Sequence, residues 1–141
     1  MVNLFTYGSL MCSDIMFKVA DCQLDYCQAV LNNFFRSKMH GREYPGIVAQ
    51  PETEVAGILY RNLTPDALTR LDAFEGKMYQ RQQVEVMTKE QGLTMAMTYV
   101  IKPRYRDQLT DEEWDFSYFL AFGKKKFEKT YFGFLDSGSG G

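Results

Sequence analysis

The chain is short of cysteine, nearly without histidine and without any long apolar run, and each shortage removes a class of protein. Its three cysteines, Cys12, Cys22 and Cys27, are odd in number and match neither a Cys-x-x-Cys redox pair nor a zinc knuckle. They read as small buried hydrophobes. With one histidine, His40, a His/Cys metal centre lacks ligands, and no Asp-rich loop has calcium-binding spacing. No metal and no cofactor are therefore expected. No stretch offers the roughly eighteen consecutive apolar residues of a membrane span, and Met1-Val2-Asn3 lacks the basic start of a secretory signal. Positive charge is not in excess either: the net charge is −2, which leaves no electrostatic footprint for nucleic acid or an anionic membrane. The expectation is a cytoplasmic protein, monomer or homodimer, whose partner is a small molecule.

What is present fits an ordinary globular chain. Apolar residues make up 45% and charged residues 24% of the 141 positions, so a core can form without staples. One domain over residues 1–135 is expected, followed by a flexible tail, "DSGSGG", over 136–141. Val2 to Tyr7 reads as a strand ended by Gly8, and Ser13 as the N-cap of a short helix carrying Ile15, Met16 and Val19. Gln23 to Phe35 looks extended, "SKMHGREYPG" reads as a loop, and Pro45-Gly46 is its turn signal. Ile47–Ala49 and Val55–Tyr60 are two apolar runs, separated by "QPETE" as a hairpin connection.

The clearest helix is "TPDALTRLDAFEG", with Thr64 as cap, Pro65 at the first helical position, Leu68, Leu71 and Phe74 on one face, and Gly76 as the stop. "YQRQQVEVMT" and "LTMAMTYVI" alternate and are joined by "KEQG", which predicts an antiparallel hairpin. Thr110 and Glu113 suggest a capping box for a last helix with Trp114, Tyr118 and Phe122 at four-residue spacing and Lys124–Lys126 at its C-terminal end. Those aromatics read as core packing rather than a lid, and an exposed cluster would instead suggest a dimer contact. Hairpin-connected strands with few helices define an α+β class on an antiparallel or mixed sheet. A Rossmann fold is not expected, because "YGSL" is not Gly-x-Gly-x-x-Gly and no regular strand–helix alternation surrounds it.

Two features carry chemistry. If Gly8 takes a positive φ, the N–H groups after it converge into an anion-binding nest, suited to a carboxylate or a developing oxyanion; the competing reading is a plain surface turn. Glu75 stands at the C-terminal end of the best helix, where the dipole disfavours a carboxylate and raises its proton affinity toward that of a general base; the competing reading is a solvated glutamate. Tyr79 and Arg81 share one strand face and could line the same pocket, or Tyr79 could be a half-buried strand aromatic, and Tyr44 has the same ambiguity. Ser9 as a nucleophile lacks a Gly-x-Ser-x-Gly setting and has only His40 as a candidate base.

In combination, "FTYGSLM", "YPGIVAQPETEVAGILYRNLTPDALTRLDAFEG" and "YQRQQVEV" resemble the γ-glutamylcyclotransferase superfamily in its AIG2-like and γ-glutamylamine cyclotransferase branch, over about residues 2–101. The resemblance implies a γ-glutamylcyclotransferase-like α+β fold, with a small, partly closed, mostly antiparallel β-barrel flanked by helices. It implies that Tyr7, Gly8, Ser9 and Leu10 form a substrate-binding loop, that Glu75 is the catalytic acid/base and that Tyr79 lines the pocket. The reaction it implies is attack of a substrate's α-amine on its own γ-glutamyl carbonyl, giving 5-oxoproline and a free amine or amino acid, without metal or organic cofactor. Leu10 stands where relatives acting on γ-glutamyl amino acids often carry Asn. Two alternatives stand beside this one: a non-catalytic module binding a small acid on the same scaffold, and removal of a γ-glutamyl group from a biosynthetic intermediate.

Overall fold

Successive residues of a strand face opposite sides of a sheet, so strands with apolar residues on both faces belong to a sheet that is packed on both sides. The structure, a computed structural model, describes residues 1–133. Its strands are β1 (Val2–Thr6), β2 (Tyr26–Met39), β3 (Pro45–Leu63), β4 (Tyr79–Thr88), β5 (Gly92–Ile101) and β6 (Leu109–Glu113). They form one sheet in the order β3-β1-β5-β4-β2-β6, and an additional β2–β3 pairing closes the first five into a barrel. All pairings are antiparallel except β1 with β5, where Leu4 stands beside Met97. The β2–β4 seam is a single pair, Val30 with Met87, so closure there is slight.

Alternate residues separate two cores. Phe5, Leu31, Val55, Leu59, Val84, Val86 and Val100 pack together, while their chain neighbours Leu4, Tyr60, Tyr99 and Ile101 face the other way and pack with the helices. Consecutive strand residues point to opposite faces, so the first set fills the barrel and the second carries α1 (Ser13–Ala20) and α2 (Pro65–Glu75). Gly57 is where strands come closest: a Cβ there would lie 2.1 Å from the Thr6 carbonyl oxygen.

The α2 helix begins and ends as its sequence predicts. The Thr64 hydroxyl accepts from the Ala67 N–H at 3.2 Å, Pro65 occupies the first turn, and Gly76 (φ 81°) closes the helix by donating its N–H to the Asp72 carbonyl at 3.1 Å. The β4–β5 hairpin also forms as expected, through a turn with Gly92 at φ 66°.

Several expectations change. The two runs around "QPETE" belong to one strand, β3: Asn32 pairs with Glu54 and Phe34 with Ala49, so residues 50–53 bulge opposite Asn33 alone. Asn33 and Glu52 absorb the bend at φ 66° and 67°, and the Asn33 side-chain oxygen accepts the Glu52 N–H at 3.2 Å. A bulge keeps the long pairing with β2 that a hairpin would give up. Likewise Ser37 to Met39 continue β2, Pro45-Gly46 opens β3, and the turn is confined to residues 40–44. Pro45 is tolerated because the first residue of a strand is a position where a missing N–H does little harm.

Ser13 is the first residue of α1 and Cys12 holds the cap position, with no side-chain cap bond. Thr110 and Glu113 do not form a capping box but lie in β6, where the Thr110 hydroxyl donates to the Lys38 carbonyl at 2.9 Å. The last helical segment starts at Phe116, capped by Asp115, whose carboxylate accepts the Tyr118 N–H at 3.2 Å. It runs to Gly133 with α turns alternating with wider π turns. Its buried face is Phe119, Gly123 and Phe127; Trp114 is buried ahead of it, while Tyr118 and Phe122 are exposed. Four-residue spacing was the right signal, set one residue out of phase. Lys124 and Lys126 lie inside the segment, and pair with Asp14 at 2.7 Å and Glu43 at 3.4 Å. The expected tail, 136–141, lies outside the described residues.

Candidate active site

The site is assembled where β1 runs out. After Thr6 the chain passes Tyr7 and Gly8 into a short 3-10 turn, Ser9–Met11, closed by the Met11 N–H on the Gly8 carbonyl (3.0 Å) and the Cys12 N–H on the Ser9 carbonyl (3.1 Å). The N–H groups of Ser9 and Leu10 precede these bonds, as the first donors of a helical turn do. Gly8 has φ −132° and ψ −133°, so the expected positive φ does not occur. The glycine is required for a different reason: a Cβ would stand 2.8 Å from Pro45 Cδ. Two bonds pin the loop from behind. The Tyr60 hydroxyl donates to the Leu10 carbonyl at 2.8 Å, and Arg36 Nη1 donates to the Tyr7 carbonyl at 2.9 Å.

Tyr7, Gly8, Ser9, Leu10, Glu75 and Tyr79 all line one small cavity, of about 30 Å³, together with Tyr44, Pro45 and Tyr99. Two of its tyrosines are held by backbone carbonyls: the Tyr7 hydroxyl donates to the Tyr99 carbonyl at 2.6 Å, and the Tyr79 hydroxyl to the Pro45 carbonyl at 2.7 Å. A second space of about 20 Å³ adjoins it, walled by Ser9, Tyr44, Phe74, Glu75, Tyr79, Phe127 and Tyr131. Tyr131 packs on Phe127 with ring centroids 4.6 Å apart and on Phe74 at 5.8 Å, so the C-terminal segment forms the far wall.

Glu75 is half-buried as a residue at the helix end, and its carboxyl group is enclosed. Burial, and secondarily the negative charge of Asp72, push its pKa up from 4.5 to about 8. The helix end predicted the direction, and burial supplies most of the cause. The Tyr7 and Tyr79 hydroxyls are also held well above their ordinary value, chiefly by burial. The cavity is therefore lined by groups that are neutral at pH 7, with one carboxyl poised to exchange a proton near that pH.

Arg81 does not line this cavity. It is displaced outward by its pairing with Asp72, Nε to Oδ1 at 3.0 Å and Nη2 to Oδ2 at 3.2 Å. Asp72 also accepts the Tyr99 hydroxyl at 2.6 Å. Sequence reasoning missed Asp72, Tyr99, Phe127 and Tyr131. Asp72 alone carried a readable signal, since it lies three residues before Glu75 on the same helix; the others reach the pocket from distant elements. His40 is exposed on the turn after β2 and is absent from the cavity wall, which removes the serine-nucleophile reading.

A closed barrel with a tyrosine-lined cavity and one glutamate at a helix end defines a γ-glutamylcyclotransferase-like fold. A solution structure from Arabidopsis thaliana superposes with TM-score 0.70 at 32% identity, covering 92% of this chain and 87% of that one. A structure described as gamma-glutamyl cyclotransferase superposes with TM-score 0.64 at 21% identity over 74% and 73% of the two chains, a likeness of fold alone. AIG2-like protein A of Arabidopsis thaliana is 33% identical over 129 residues, 92% of this chain and 78% of that protein. AIG2-like protein C of the same plant is 33% identical over 136 residues, 96% and 78% of the respective chains. Residues 4–116 match the family described as gamma-glutamyl cyclotransferase, AIG2-like, and the chain belongs to that family. Among the described residues no helix is long and apolar enough to cross a membrane.

Proposed function

We propose that the protein is a γ-glutamyl cyclotransferase, converting a γ-glutamyl amide to 5-oxoproline and a free amine or amino acid, with Glu75 as acid/base. The observation that carries this reading is the meeting of the Tyr7–Leu10 loop and the buried Glu75 carboxyl in one cavity. The substrate's α-amine arrives as an ammonium, which is no nucleophile. A carboxyl with a pKa of about 8 has a proton affinity close to that of an amine, so the proton passes between them at small cost. The freed amine attacks the γ-carbonyl carbon, a C–N bond closes the five-membered ring, and negative charge develops on the carbonyl oxygen. In this reading the Ser9 and Leu10 N–H groups, the first donors of the turn that follows Gly8, stabilise it. Glu75 gives the proton it has taken to the departing nitrogen as the old amide bond breaks, and the carboxylate so formed takes the remaining extra proton from the ring nitrogen.

A cavity of about 30 Å³ holds roughly one water molecule, so substrate entry requires the aromatic wall of Tyr44, Phe127 and Tyr131 to yield. The test is 5-oxoproline release from a panel of γ-glutamyl amines, γ-glutamyl amino acids and glutathione, with Glu75→Gln in parallel. Release by the native chain and none by the variant is the expected result. Saturable binding across the panel with no 5-oxoproline would support the binding-module alternative instead.

A further inference from the structure

The Asp72 side chain is 43% exposed, yet it is held by three donor atoms: the Tyr99 hydroxyl at 2.6 Å and two Arg81 nitrogens at 3.0 and 3.2 Å. A two-pronged guanidinium contact with a short hydroxyl bond is a fixed arrangement, unlike an ordinary surface ion pair. The contacts run on toward the loop. Tyr99 lines the cavity and its carbonyl accepts the Tyr7 hydroxyl, so Arg81, Asp72, Tyr99 and Tyr7 form a connected path beside Glu75.

The groups facing Glu75 are Tyr7 from the loop after β1, Tyr79 from β4, Tyr99 from β5, Tyr131 from the C-terminal segment and Asp72 from its own helix. Tyr44 stands across the cavity, and Arg36 acts on Tyr7 from behind the loop. The raised tyrosines are neutral at working pH. Among the described residues no lysine or arginine lines either space. Of the charged residues on Glu75's own helix, Asp72 is the one that acts on it, with Arg81 paired to Asp72 from β4.

We propose that Asp72 is a positioning residue acting through Glu75. Clamped by Tyr99 and Arg81, it ties the last turn of α2 to β4 and β5 and sets the pH window in which Glu75 exchanges its proton. This rests on the assignment of Glu75 as the acid/base. An anion one helical turn away opposes ionisation of Glu75, and Arg81 tempers that effect.

The test is the titration of the Glu75 carboxyl by ¹³C NMR, its resonance assigned by its loss in Glu75→Gln. Asp72→Asn is expected to lower the midpoint by about half a pH unit, the scale of a solvent-screened charge one helical turn away. Arg81→Gln is expected to raise it, and Arg81→Lys, which keeps the charge, to leave it within about a tenth of a unit. The rising limb of kcat/KM against pH should move in the same two directions. Midpoints that coincide in all variants, or shift the same way in Asp72→Asn and Arg81→Gln, would overturn the proposal. The titration needs no turnover, so absence of 5-oxoproline release would refute the reaction and not this electrostatic role.

Discussion

Replacing Glu75 by glutamine should make the protein more stable, and increasingly so as the pH rises. In the folded chain Glu75 has a pKa of about 8 against 4.5 ordinarily, so between those values the folded state holds a proton that the unfolded state has released. Stability from this group is fully present below pH 4.5 and is lost as pH rises through 8. At about 1.4 kcal/mol for each tenfold change in proton affinity, the loss reaches about 3 kcal/mol at pH 7 and about 5 kcal/mol above pH 9. Glutamine keeps the shape and carries no proton to lose. Urea unfolding of native and variant proteins at pH 5, 7 and 9 isolates the effect, because every other titrating group is common to both. The curves should nearly coincide at pH 5 and diverge by about 3 kcal/mol at pH 7. If the two free energies ran parallel across this range, the carboxyl would be hydrated and the burial argument wrong. A gain in stability with a loss of turnover is the pattern of a group held in a strained protonation state for chemistry.

Other outcomes follow from specific contacts. Gly8→Ala should destabilise by about 1–3 kcal/mol and depress turnover, since its Cβ meets the Pro45 ring at 2.8 Å and must push the loop or the turn before β3; unchanged melting and activity would refute the close approach. Gly57→Ala should be far worse, because its Cβ would meet the Thr6 carbonyl at 2.1 Å and backbone cannot step aside as a ring can; soluble expression with native circular dichroism would refute it. Tyr99→Phe removes a hydroxyl bond to a carboxylate, worth about 1.5–3 kcal/mol in general, and the loss should be read by chemical denaturation; a difference below about 0.5 kcal/mol would mean that Arg81 alone holds Asp72. Tyr131→Ala should lower KM for bulky γ-glutamyl amides relative to small ones by widening the second space, and equal changes across the panel would exclude Tyr131 from the leaving-group wall.

The elements with local signals were legible in the sequence, and those decided by long-range pairing were not. Thr64, Pro65 and Gly76 each act within one helical turn, so the limits of α2 could be read directly. The 45–63 strand could not, because its polar middle resembles a hairpin connection unless one knows that β2 runs beside it and that Asn33 accepts the Glu52 N–H. Thr110 and Glu113 have capping-box spacing, yet pairing with Ser37 and Met39 places them in a strand. In the site, the loop and Glu75 were legible as residue types. The reason for Gly8 was not, since it lies in Pro45, thirty-seven positions away in sequence, and the main cause of the Glu75 shift is a burial that only the assembled barrel creates.

The division of the cavity wall has a physical consequence. The loop, Glu75, Tyr79 and Tyr99 all fall within residues 4–116, the span that matches the family, whereas Phe127 and Tyr131 lie beyond it. Two tyrosine hydroxyls of this face are fixed by backbone contacts, Tyr7 on the Tyr99 carbonyl at 2.6 Å and Tyr79 on the Pro45 carbonyl at 2.7 Å, and α2 carries Glu75 at its end. The wall opposite them is built from ring contacts, which are soft, non-directional and individually worth about 1 kcal/mol. The aromatic face also bears on the perturbation of Glu75, because Tyr44, Phe127 and Tyr131 wall the space beside it and burial is the main cause of its raised pKa.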